Sequence, residues 1–445
     1  MRWINLIFLA VVVTSFSPAL SASENALNLS DAVKAALEGN HEIRAFRSAV
    51  AAREAGVGIA RSDLLPRIFF QERFVRTNNP TTSFSLKLNQ ERFAQSDFEL
   101  SSLNDPSPIN DFQTSVGFEQ PLFVRKASIG LEMSKGESEA VTEEFRRKRE
   151  DVTMRVVSSF LAVQTAKAFF SVSEKSLEDA REHLRIAELR HESGLALYSD
   201  TLRASTALTE AEQRKVSAAK NKDVAKRGLG LLLGSPGSID VTGEEAVIPV
   251  RDMEHYVQAS LARRDVRAME IRHENAVRNI HLAEAGFFPV IGVGGSYDLH
   301  DHSNPFGGEG ASWTLSAFLR WDLFDGMKRS FEKTMARHQA TEAGEYLEGM
   351  KKAVAFRVYE AFRAVEETRT NVELARASLK TADEGRRLVR VRYESGLSPL
   401  VDLLDAQVTL DRARSNVVAR QNEYIQAVAN LSYESGIILR DLGLE

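Results

Sequence analysis

The same interruption occurs twice in this chain. Residues 191–205 read HESGLALYSDTLRAS and residues 393–407 read YESGLSPLVDLLDAQ, each lodged between long proline-free stretches. At that one offset, residues 176–234 align with 378–436 without a gap, bringing together Leu177 and Leu379, Gly194 and Gly396, Asp200 and Asp402, and Gly234 and Gly436. Upstream, Ile43-Arg44-Ala45 answers Val266-Arg267-Ala268, Leu65-Pro66 answers Phe288-Pro289, and Leu122-Phe123 answers Leu323-Phe324. A unit of about two hundred residues is too long for a solenoid repeat. The chain is therefore expected to hold two copies of one larger motif, 23–233 and 253–445, joined by a Gly/Pro-containing linker at 234–252.

Each copy divides at its prolines. None falls between Pro121 and Pro236 or between Pro305 and Pro399, which permits very long helices. Apolar residues recur there at sevens, Val156, Val163, Phe170, Leu177 and Leu184 in one copy, Val358, Val365, Val372 and Leu379 in the other. A sustained period of seven predicts knobs-into-holes packing. Long helices are expected over 124–193 and 327–393. Shorter ones over 30–64, 200–233, 253–287 and 400–434 have summed lengths that let two lie end to end beside each long helix. At ~1.5 Å per residue a long helix reaches about 100 Å, the dimension of a tube or stalk.

Between the first short helix and the long helix of each copy lie runs of period two. In 313–324, Trp313, Leu315, Ala317 and Leu319 alternate with Thr314, Ser316 and Arg320; in 112–120, Phe112, Val116 and Phe118 alternate with Gln113, Ser115 and Glu119. Residues 67–76 and 290–299 are weaker partners. Runs of this length suit membrane strands with lipid on one face and a lumen on the other. The polar segments 77–110 and 300–311 are expected to be surface loops. Four strands cannot close a barrel, and open edges in lipid leave backbone groups unpaired. Several copies must combine; three would supply twelve strands.

Composition agrees. The chain has 445 residues, no cysteine, and a net charge of -5 with both signs interspersed. This excludes disulfides, thiolate metal sites and a lipidated N-terminal cysteine, and offers no electrostatic footprint for nucleic acid. Arg2, the apolar stretch 6–13 and the small residues 19–23 predict a cleaved signal peptide at 1–22. No later run reads as a transmembrane helix.

Residues 392–397, RYESGL, followed by DLLDAQ at 402–407, resemble the second helical-tip motif of the TolC-type outer-membrane efflux proteins. Residues 190–200 resemble the first tip, and FEQPLF at 118–123 resembles the strand-to-helix crossing. The resemblance spans the whole mature chain. It implies a mainly α fold with transmembrane β-structure: a homotrimer whose coiled-coil-like helices form an α-barrel across the periplasm and whose strands complete a 12-strand β-barrel in outer-membrane lipid. It further implies a periplasmic adaptor and an inner-membrane pump of RND or ABC type as partners, no cofactor, and no enzymatic activity. A non-conducting periplasmic scaffold is the alternative reading.

Gly194 and Gly396 free the chain to turn where long helices end, which an ordinary helix–loop–helix cap also explains. The resemblance implies that Ser193-Gly194-Leu195 and Ser395-Gly396-Leu397 meet the adaptor. Asp402 and Asp405 share one face of a helix start, where acidic residues also suit the dipole. In a trimer they would ring the axis, and the resemblance matches them to acidic rings at the tunnel entrance, with Asp200, Ser199 and Tyr393 in the polar network that closes it. Ser398 departs from one member of the family, which carries arginine there.

Other signals are weaker. His300-Asp301-His302 is expected to be a solvated loop without further ligands, Gly292 to Gly295 are strand glycines rather than a dinucleotide fingerprint, and the charged run 143–151 is a solvated helix face. No nucleophile–base or paired-carboxylate arrangement supports an enzyme.

Overall fold

The computed structural model describes residues 26–242 and 248–445; the expected signal peptide and the middle of the linker lie outside them. Helices α1 (Leu29–Gly39) and α2 (His41–Ser62) lead to strand β1 (Arg67–Thr77). Short helices α3 (Pro80–Asn89) and α4 (Leu100–Asn104) precede β2 (Ile109–Phe123), the long helix α5 (Arg125–Glu192) and α6 (Tyr198–Leu232). The second half runs α7 (Met253–Ser260), α8 (Arg264–Glu284), β3 (Val290–Asp301), β4 (Gly310–Arg320), α9 (Lys328–Glu394), α10 (Leu400–Glu434) and a last turn, α11 (Ile438–Asp441).

α5 and α9 contain 68 and 67 residues, each about 100 Å of helix. The rows spaced by seven face inward: Val156, Val163, Leu177, Val358, Val365 and Val372 are buried. Towards the sheet the wall runs α2, α5, α8, α9; away from it, α6, α5, α10, α9. One 18-residue window of α5 reaches a mean hydropathy of 1.3, more apolar than the sequence reading allowed. Val156, Val157, Phe160 and Val163 lie in the main core of this wall.

The end-to-end stacking is made by two side chains. Asn40 donates from Nδ2 to the carbonyl of Leu232, 2.8 Å away, joining the end of α6 to the start of α2. Its Oδ1 accepts from the Glu42 amide at 2.8 Å, an N-cap that satisfies helix-end donors. In the second half Arg263 takes this place, donating to the Glu434 carbonyl at 2.8 Å. These joints correct two helix boundaries. The expected helix 30–64 is cut at Asn40, and 253–287 is cut at 261–263, because α1 and α7 turn off to pack on α5 and α9. The turned-off pieces enclose the largest core, which includes Val33, Phe160, Leu229, Tyr256, Leu431 and Ile438.

The four strands form one antiparallel sheet in the order β1-β2-β3-β4. Register places Phe70 opposite Val116, Val116 opposite Tyr297, and Tyr297 opposite Trp313. One face is therefore an apolar, aromatic-rich row. The other places Gln71 opposite Ser115, Ser115 opposite Asp298, and Asp298 opposite Ser312. Gly292 and Gly117 belong to that polar face and make room for aromatic rings: a Cβ at Gly292 would lie 2.6 Å from Phe318, and one at Gly117 would lie 2.5 Å from Phe69. Gly292 to Gly295 are thus strand glycines, as expected.

Strand limits needed correction. β4 spans Gly310–Arg320, so Trp321 and Leu323 leave the sheet. Arg329 gathers the crossing there, donating to the carbonyls of Asp322 and Gly286 at 2.7 and 3.1 Å. β2 extends to Phe123 and tolerates Pro121 because the register shifts between Pro121 and Phe123, a local irregularity that removes the need for a proline donor. The expected polar loop 77–110 contains α3 and α4 instead. Asn79 caps α3 by accepting from the Thr82 amide at 3.1 Å, and Pro80 opens it, a start signal the reading passed over.

Candidate functional site: the paired helical tips

Both long helices end in the same turn. Gly194 and Gly396 adopt φ of +70 and +76. The Leu195 amide donates to Arg190 O and the Leu397 amide to Arg392 O, both at 2.8 Å, while each glycine amide bonds three residues back at 2.9 Å. This is a Schellman motif, in which only glycine adopts the left-handed position without strain. Ser193 and Ser395 turn back and donate to Leu189 O and Val391 O at 2.7 and 2.8 Å. The hydroxyls are thus used within their own helices. Leu195 and Leu397 are 69% and 73% exposed, leaving the apolar knobs as the free chemistry of each tip.

Behind the tips lies a small core of Ala187, Ala204, Tyr393, Leu400 and Leu403. Leu403 is buried, whereas Asp402 and Asp405 stand exposed on the opposite side of α10. Ser398 donates to the Asp402 carboxylate at 2.6 Å, so the residue that departs from one member of the family holds the acidic side chain of the first turn of α10. Ser199 is exposed and Asp200 half-buried at the beginning of α6. Tyr393 is buried, and its hydroxyl has no hydrogen-bond partner among the described residues. Burial pushes the Tyr393 phenol up, with Arg190 opposing and Asp200 adding to the shift.

Sequence reasoning assigned no role to the side chain that ties the two tips together. Arg190 donates to Tyr393 O at 2.8 Å, and its guanidinium lies 4.9 Å from the centre of the Tyr393 ring. It caps the carbonyl end of α9 from the end of α5, a placement cations favour. The signal was available, since arginine occurs at equal places in both copies, Arg190 and Arg392.

Above the tips a second missed cluster joins α5 to α9 and α10. Gln407 donates to Asp179 and Asp411 at 3.0 Å each and accepts from Arg386 at 3.0 Å. Ser176 donates to Asp411 at 2.7 Å. Asp179, Gln407 and Ser176 are buried. Residues on three helices cannot be paired from one sequence, so nothing local marked them. Asp179→Ala would leave Gln407 and Arg386 short of a buried partner, at a cost of about 2–4 kcal/mol. We expect faster protease cleavage at the tips of that variant; an unchanged cleavage rate would remove the cluster from tip cohesion.

At the far end of the sheet, His300 corrects an expectation. It is buried in β3, with Nδ1 3.0 Å from Asp111. Asp301, His302 and Glu309 do converge, their ligand atoms within 4.8 Å. Contacts within the turn account for this grouping: His302 faces Glu309 at 2.5 Å, and Asp301 accepts from the Ser303 and Asn304 amides at 2.8 Å.

The family model for outer membrane efflux proteins matches residues 32–235 and 255–436. The chain belongs to this outer membrane efflux protein family. It is 23% identical over 386 residues to outer membrane protein OprJ of Pseudomonas aeruginosa, covering 84% of this chain and 77% of OprJ. With alkaline protease secretion protein AprF of the same organism it shares 21% over 428 residues, 93% of this chain and 85% of AprF. The crystal structure of the Campylobacter jejuni CmeC outer membrane channel superposes with a TM-score of 0.76 at 16% identity, covering 98% of this chain and 94% of CmeC. This outer membrane efflux protein shares their mostly helical fold with a small antiparallel sheet.

Proposed function

We propose that three copies of the chain form an exit duct, twelve strands closing a barrel in the outer membrane and the helical walls closing a tunnel below it. The observation that carries this is the sheet: one aromatic face, one polar face, and two outer strands, β1 and β4, each unpaired along one edge. Pairing β1 of one copy with β4 of the next satisfies the edges that lipid cannot. Phe287, Phe288, Trp321, Leu323 and Phe324 are exposed where strands give way to helices, the level of an aromatic girdle. The duct is passive. An inner-membrane pump of RND or ABC type supplies energy through a periplasmic adaptor seated on Leu195 and Leu397.

The cargo class stays broad, small molecules or polypeptides, since similar proteins include one named for protease secretion. Asp402 and Asp405 face the axis as six carboxylates and favour cations, while Asp200, Ser199 and Tyr393 contribute to the closed contact between neighbouring copies. The test is single-channel recording of the reconstituted protein. Asp402→Ala with Asp405→Ala is expected to lower cation selectivity and relieve block by divalent cations. Unaltered selectivity would remove the carboxylates from the entrance. A wild-type protein that inserts without conducting would favour the scaffold reading.

A further inference from the structure

We propose that residues 78–108 form a structured lid on the lumen side of the sheet, narrowing the mouth of the barrel at the end away from the helices. The inference rests on the duct reading above.

The segment has an interior of its own. Phe93 packs between Phe84 and Phe98, with ring centroids 4.7 and 5.0 Å away, and Lys87 pairs with Asp97 at 2.7 Å. Asn79 and Pro80 start α3, and Ser83 and Leu86 on α3 are buried. A free surface loop needs none of this.

Register decides which side it covers. Asp111 alternates with Phe112 along β2, and His300 pairs with Gln113, so Asp111 and His300 lie on the polar face. Gln90 follows α3 and is buried; it donates to Asp111 Oδ1 at 2.9 Å and to Asn110 O at 2.8 Å. His300 meets the same carboxylate at 3.0 Å. Gly310, paired with His300, lies so close beneath that a Cβ would stand 2.0 Å from Asn89 O. Three buried polar groups, Gln90, Asp111 and His300, thus dock the segment onto the lumen face, where removing one partner strands the others. The β3–β4 turn goes the other way: Phe306 stacks on Phe70 of the apolar face, centroids 6.2 Å apart. One connection covers the mouth and the other leaves it.

The natural chain has no cysteine, so Gln71→Cys on the exposed polar face of β1 is a unique reporter thiol. It would be probed on intact cells with a small maleimide and with a bulky polyethylene-glycol maleimide. With the lid present, the small reagent should label and the bulky one should not. Deleting residues 80–104 across a Gly-Ser bridge should raise bulky labelling several-fold while small-reagent labelling is unchanged. The double variant Gln90→Ala with His300→Ala, which keeps the segment but removes its dock, should raise bulky labelling too, and decides the matter if the deletion fails to assemble. Equal bulky labelling with and without the dock would overturn the lid. Failure of even the small reagent would instead overturn the barrel reading beneath it.

Discussion

Arg263→Ala is expected to destabilise the protein by about 2–4 kcal/mol, the cost of leaving the half-buried carboxylates of Asp265 and Glu434 without their partner. The Arg263 side chain is only 2% exposed. Its guanidinium donates to Asp265 at 2.8 and 3.1 Å, to the Glu434 carboxylate at 2.8 Å, and to the carbonyl that ends α10. Arg263→Lys keeps the charge but not the planar fork and should recover only part of the loss. Urea unfolding of the detergent-solubilised protein measures both, and an unshifted midpoint would show that the α8–α10 joint bears no load. The pH dependence has a definite sign. Burial alone would raise the Asp265 carboxyl, but the Arg263 hydrogen bonds and charge outweigh it and hold it below the usual range. Its stabilisation is therefore fully present above the unfolded carboxylate value of about 3.9 and lost as pH falls through the lower folded value. Without Arg263 burial dominates, the carboxyl moves up, and mild acid should partly rescue the variant.

A comparably large effect is expected at the sheet, where two adjacent residues provide a matched pair. Leu315 lies on the apolar face and Ser316 on the polar one. A lysine facing lipid near mid-membrane costs about 2–4 kcal/mol, and the proposed trimer would incur that cost in every copy. Leu315→Lys should abolish the heat-sensitive trimer band in outer-membrane fractions, while Ser316→Lys should leave it and alter conductance. Loss of the band in both variants would mean that the polar face is not a wet lumen. Glu72 is an exception on the apolar face, and its carboxylate is partnered there, accepting from the Thr114 hydroxyl at 2.6 Å.

Much of the frame was legible because its signals are periodic. Val156 and Val163 report a seven-residue seam without knowledge of the partner helix, and Trp313, Leu315 and Ala317 report a face without knowledge of what lies against it. Gly194 and Gly396 were legible as turns because few other residues tolerate their backbone. The breaks at Asn40 and 261–263 were not, since both stretches could continue as helix. They break because α6 and α10 arrive there with carbonyls to satisfy, and Asn40 and Arg263 reach them from far away in sequence. α3 was hidden differently: the polar composition of 77–110 masked the start signal at Asn79 and Pro80.

At the candidate site the division is sharper. Resemblance pointed to Asp402, Asp405, Asp200, Ser199, Tyr393 and the two Ser-Gly-Leu turns, and the fold brings both turns to one end. Arg190, Asp179, Gln407 and Asp411 emerged only from packing, because each works through a partner on another helix.

By itself the sequence determined the duplicated plan, the lengths of the two long helices, the two faces of the sheet and the glycine turns, since each follows from local spacing and backbone sterics. Tertiary structure alone decided where the helices break, which arginine ties the tips, and that the first loop docks on the polar face. Those outcomes depend on which buried donors and acceptors meet across distances that no local pattern encodes.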